Sequence, residues 1–145
     1  FLRHFGIKRV MLISMFAWVF RFGLFGLGDP GSGLWMLILS MIVYGMAFDF
    51  FNISGSLFVE LEAKPEIRAS AQGLFFMMTN GLGAIIGGYA SGAVVDAFSV
   101  YSDGMLISRE WPDIWFIFAG YALVIGILFA LVFRYKHQPE ELSKK

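Results

Sequence analysis

Tyr44, Phe48, Asp49 and Asn52 lie close together inside an otherwise apolar run from about Leu34 to Val59. On a helix turning about 100° per residue, Phe48 sits about 40° round from Tyr44, Asn52 about 80°, Gly45 about 100°, Ser56 about 120° and Asp49 about 140°. One arc therefore carries an aromatic pair, an amide, a hydroxyl and a carboxylate. That combination suits a solute with a flat ring to stack and polar edges to hydrogen-bond. An acid near the middle of a membrane span costs about 2.5–3.5 kcal/mol on insertion scales, and such residues face a bundle interior or a watery cavity on an ion, proton or solute path. A carboxyl group there can bind and release a proton, which would couple proton movement to solute movement. The plainer alternative is that Asp49 pairs with a cation on a neighbouring helix during assembly.

Other polar residues within apolar runs are weaker candidates. Arg21, between Phe20 and Phe22, lies near enough to the end of its run to snorkel outward along its aliphatic stem; an acid inside the bundle is the other partner open to it. Thr79, Gly83, Gly87 and Ser91 recur every four residues, with Ala84, Gly88 and Gly92 beside them. Small residues at this spacing allow close helix approach in membranes, so a packing seam is expected, one that could also slide or rock. Asn80 is a second-rank cavity residue, and Gln72 reads as interfacial. Trp18 and the methionines read as packing or lipid-facing. His4 and His137 lack partners at metal-ligand spacing, and no hydrolytic triad, phosphate loop or zinc pattern is visible. No catalytic residue, no cofactor and no metal site is expected.

The elements that must carry these residues follow from composition. The chain has 145 residues, 58% apolar and 15% charged, where soluble domains run about 45–50% and 25%. The balance of 11 basic and 11 acidic residues gives no field for nucleic acid. Zero Cys excludes disulfides and thiol chemistry. Apolar runs of about 20 residues cross a bilayer as helices, and four appear: approximately 10–27, 34–59, 69–95 and 114–133. Between them lie polar breaks, a Gly-Pro turn at 28–33, a loop from Glu60 to Arg68 and a segment from Asp96 to Asp113. Arg3, Lys8, Arg9, Lys64, Arg68, Arg134, Lys136, Lys144 and Lys145 fall on one side and only Arg109 on the other. Positive charge favours the inside, so both ends and the Glu60–Arg68 loop are expected in the cytoplasm. Trp35, Trp111 and Trp115 then mark the outer boundary and Tyr135 the inner one. The opening at Phe1, without an initiator Met or signal-peptide pattern, leads us to expect a fragment.

The stretch Tyr44-Gly45-Met46-Ala47-Phe48-Asp49-Phe50-Phe51-Asn52-Ile53-Ser54-Gly55-Ser56 resembles the tenth helix of the nucleoside:proton symporters, a bacterial branch of the major facilitator superfamily. Ile67-Arg68-Ala69-Ser70-Ala71-Gln72-Gly73-Leu74 is similar to the start of that family's eleventh helix. Phe5-Gly6-Ile7-Lys8-Arg9 resembles its basic loop between helices eight and nine, with His4 and Phe5 where the fuller pattern has Asp-Arg. The resemblance implies an all-α polytopic membrane protein whose residues 1–145 are the last four helices of a twelve-helix carrier. The missing part would be the N-terminal bundle and helices seven and eight of the same chain. It further implies that Tyr44, Phe48 and Asp49 contact nucleoside; Asn52 joins them on the helical-face argument alone.

The expected function is nucleoside import coupled to protons by alternating access in a bacterial inner membrane. Asp49 would be both substrate-binding and proton-coupling. The partners would be nucleoside, protons and the lipid bilayer, with no nucleic acid and a monomeric full-length state. Two other readings stay open. The solute could be a sugar or another polar metabolite, or the chain could be a stand-alone four-helix scaffold joined to a partner through the glycine seam.

Overall fold

A computed structural model of the chain describes residues 5–102 and 104–134. The readings made above for Arg3, His4, Tyr135, Lys136, His137, Lys144 and Lys145 lie outside the described residues.

The first helix, α1 (Ile7–Leu27), starts after Gly6 at φ 77°, a conformation that only glycine adopts cheaply. It closes where the Gly28 N–H donates to the Leu24 carbonyl at 2.9 Å. The turn is then tied by its own acid, the Asp29 carboxylate accepting the Gly31 N–H at 2.6 Å. Helix α2 (Leu34–Glu62) has 29 residues, about 43 Å at 1.5 Å per residue. It runs past Val59 because Glu60, Leu61 and Glu62 are good helix formers; polarity marks the edge of the membrane, not the end of a helix. For the same reason α1 already contains Lys8 and Arg9.

The third span is continuous from Pro65 to Ala97 but not uniform. A 3-10 turn (Pro65–Ile67) leads into α3 (Arg68–Phe76), a π-helical segment (Met77–Leu82) and α4 (Gly83–Ala97). Outside it the chain forms an antiparallel hairpin, β1 (Ser99–Ser102) with β2 (Met105–Arg109), bulged between Val100 and Tyr101. The sequence reading left this stretch as a polar break. Val100, Tyr101 and Ile107 are strand formers, and Gly104 turns at φ 76°, but pairs this short carry too little periodicity to read. The last helix, α5 (Trp111–Val132), opens with Pro112 and Asp113 in its first turn, where a missing N–H and a negative charge are both tolerated. Among the described residues, four spans are thus long and apolar enough to cross a membrane.

Helix α1 lies between α2 and α5. It buries Ile7, Val10, Met11, Ser14 and Leu24, while its neighbours bury Ser40, Val43 and Ala47 on α2 and Ile114 on α5. Small residues set the spacing: a Cβ on Gly26 would stand 3.1 Å from the Phe116 ring. The spans alternate in direction. Lys8 Nζ donates to the Ala130 carbonyl at 2.9 Å, so the start of α1 meets the end of α5. Phe58 near the end of α2 packs edge-on against Phe133, 5.2 Å between centroids. A cation on the last carbonyls of a helix is favourable. Trp115 is not merely a boundary residue, since it stacks on Phe25 at 4.7 Å and on Phe22 at 6.0 Å.

The third span behaves differently. It meets the others through α3 against α2, and no residue in its most apolar stretch is buried. A Cβ at Gly87, Gly88 or Gly92 would meet nothing within 4 Å.

Candidate solute-binding face of α2

Helix α2 has two faces. Of its buried residues, Ser40, Val43, Ala47 and Ser54 cluster within about 60° of one another at about 100° per residue, with Gly55 about 60° further round, against Phe75. Asp49 projects about 150° from the middle of that stripe, away from α1. It is exposed. Phe48 is 41% exposed. Both therefore stand, at mid-span, on a surface that nothing in the described chain covers.

Tyr44 lies at the border between the faces and is half-buried. Its ring meets Phe48 at 5.9 Å and takes Trp18 of α1 edge-on at 5.3 Å, with an interplanar angle of 81°. Edge-to-face pairs are worth about 0.5–1.5 kcal/mol beyond the area they bury. Asn52 is half-buried, and its Nδ2 donates to the Phe48 carbonyl at 2.9 Å. That bond turns the amide back along its own helix. Tyr44, Phe48 and Asn52 are thus linked, while Asp49 shares their helix without joining the contacts.

Below this level an open cleft of about 370 Å³ is lined by Asn52, Ile53, Ser56, Leu57, Glu60 and Phe76. Its wall is fastened by Gln72 of α3. Gln72 Nε2 donates to the Ser56 carbonyl at 2.7 Å, and the Ser56 hydroxyl donates to Gln72 Oε1 at 3.0 Å. Gln72 is consequently a clamp between two spans. Nearby, the Phe75 ring occupies the space where Gly55 has no side chain. Asn80 is exposed, and its Nδ2 donates to Thr79 Oγ1 at 3.2 Å. Thr79 in turn donates to the Phe75 carbonyl at 2.8 Å within the π segment.

Arg21 departs from the expectation of snorkelling. Its guanidinium carbon lies 4.4 Å from the Tyr44 ring centroid, 4.9 Å from Trp18, 5.3 Å from Phe25 and 5.4 Å from Phe22. A delocalised, weakly hydrated cation is attracted to ring faces within about 6 Å, by about 2 kcal/mol or more when desolvated. Four rings outcompete a stretch of aliphatic stem toward water. The signal was present as Trp18, Phe22 and Phe25 at helical spacing around Arg21, but the fourth ring comes from α2 and no local pattern contains it.

These features define a class: a polytopic helical membrane protein whose mid-span acid and Phe48 ring face away from its own bundle. A family profile described as "Nucleoside H+ symporter" matches residues 1–138. Xanthosine permease of Escherichia coli (strain K12) is 56% identical over 146 residues, covering 100% of this chain and 34% of that protein. Nucleoside permease NupG of the same organism is 56% identical over 138 residues, covering 94% and 32%. The crystal structure of nucleoside transporter NupG superposes with a TM-score of 0.82 at 55% identity, over 94% of this chain and 33% of that one. The chain belongs to the nucleoside H+ symporter family. It spans about a third of the length of the curated relatives it matches.

Proposed function

We propose that this chain is the C-terminal four-helix part, residues 1–145, of a twelve-helix carrier that imports nucleosides with protons by alternating access. The observation that carries this reading is the uncovered mid-span face of α2. Phe48 and Asp49 are turned away from α1 in a chain of this family. In carriers of this build, the solute sits near the midplane between two bundles. The absent remainder would then supply the opposite wall.

Tyr44 and Phe48 pack the base or sugar, and Asn52 offers its amide to a polar edge. Asp49 binds solute and carries the proton whose uptake and release accompany movement between the two open states. The excess of Lys and Arg at one end supports cytoplasmic ends and a bacterial inner-membrane location. The full-length protein is a monomer in this reading.

Uptake of labelled uridine by cells expressing the full-length parent tests it, with and without a protonophore and beside Asp49→Asn at matched expression. Accumulation should collapse with the protonophore and with the substitution. Wild-type accumulation by Asp49→Asn would remove the coupling role. Absent uptake by a well-expressed parent would move the solute to a sugar or another polar metabolite.

A further inference from the structure

We infer that Arg21 is a positioning residue for nucleoside binding, acting through Tyr44 and never touching the solute itself. The inference rests on the solute-binding reading of Tyr44 given above. A cation placed at this depth needs a compensating partner. Among the described residues Arg21 has no ion pair, and its Nε is buried without a hydrogen-bond partner. The compensation comes from ring faces. Trp18, Phe22 and Phe25 of α1 bound the guanidinium on its own helix, and Tyr44 of α2 is the nearest ring, at 4.4 Å.

The contact with Tyr44 is the one that crosses between helices. It is reinforced at the backbone, where the Ser40 hydroxyl donates to the Arg21 carbonyl at 3.2 Å. Ser40 lies four residues before Tyr44, one turn along α2. Arg21 is thereby held at one height on α2 by its main chain, and its side chain meets Tyr44 at that height. Trp18 meets the same phenol ring edge-on at 5.3 Å. Tyr44 is consequently immobilised from the α1 side before any solute arrives. A ring already ordered loses less rotational freedom on binding, and this lowers the concentration needed to fill the site. Asp49 lies about 140° round the helix from Tyr44 and is not part of this cage.

The experiment measures initial uridine uptake against concentration for the full-length parent and four variants, each normalised to carrier in the membrane. The variants are Arg21→Gln, Arg21→Lys, Tyr44→Ala and the double variant Arg21→Gln/Tyr44→Ala. Arg21→Gln should raise KM about threefold to tenfold, the cost of ordering one ring only when solute binds, with the maximal rate and protonophore-sensitive accumulation kept. Arg21→Lys keeps the charge without the plane and should raise KM by a smaller factor. In the Tyr44→Ala background Arg21→Gln should change KM no further. An unchanged KM in Arg21→Gln overturns the inference, as does the same fold-rise with and without Tyr44. Should Arg21→Gln fail to reach the membrane, Arg21→Lys is combined with Tyr44→Ala and carries the same test. There, an unchanged KM in the single variant overturns the inference. If the parent shows no saturable uridine uptake, the nucleoside reading fails first and this inference falls with it.

Discussion

Asp49, Phe48 and Tyr44 occupy fewer than two turns of one helix, yet their surroundings differ. Tyr44 is held by Trp18 and Arg21 from the neighbouring helix, whereas Phe48 and Asp49 open outward. Rings with such different freedom should respond differently to truncation. Phe48→Ala should raise the half-saturation concentration for nucleoside about threefold to tenfold, the worth of one ring contact, without changing the yield of folded carrier. Saturation curves of uptake in the full-length parent would read this directly. An unchanged value would make Phe48 a lipid or packing residue.

At the scale of elements, the contact between α2 and the third span depends on two local features. One is the pair of hydrogen bonds between Gln72 and Ser56. Interhelical bonds of this kind in membranes average about 0.6 kcal/mol and reach about 1.7, so Gln72→Ala should lower the unfolding free energy of the detergent-solubilised parent by about 1 kcal/mol. The other is the absence of a side chain at Gly55, whose place the Phe75 ring fills. Gly55→Val must displace the Phe75 ring and should cost about 1–3 kcal/mol by overpacking. Restoring stability with Phe75→Ala in the same protein would confirm that these two residues are the point of conflict. No recovery in the double variant would place the damage elsewhere.

For the whole molecule, the informative surface is the one left bare. The seam of Gly83, Gly87 and Ser91, with Ala84, Gly88 and Gly92, has the close spacing of a helix-packing surface. Among the described residues, nothing outside their own helix comes within 4 Å of a Cβ placed at Gly87, Gly88 or Gly92. The relatives it matches are about three times as long, and in the proposed full-length carrier this seam would pack on segments outside the chain. Gly87→Leu has room here and should disturb no contact described above. In the full-length parent it should sharply reduce the yield of monodisperse carrier on size-exclusion chromatography. Normal yield would mean that α4 faces lipid along the seam.

The sequence by itself determined the membrane class, the four spans and the polar arc of α2. Each is written in runs of side chains along a single segment, where hydropathy and a 100° turn suffice to read it. It also carried the family, because the stretch from Tyr44 to Ser56 is continuous. Tertiary structure decided what lies between segments. Arg21 reads locally as a cation near the end of a span, and only the arrival of Tyr44 from α2 makes a ring cage the better partner than water. Gln72 reads as a polar residue near an interface until Ser56 is brought opposite it. The hairpin between Ser99 and Arg109 escaped because its stability comes from pairing across the turn, which short alternating segments do not announce. Helix ends differed for a related reason: hydropathy records where the bilayer stops, while the backbone hydrogen bonds of α1 and α2 continue into the aqueous edge.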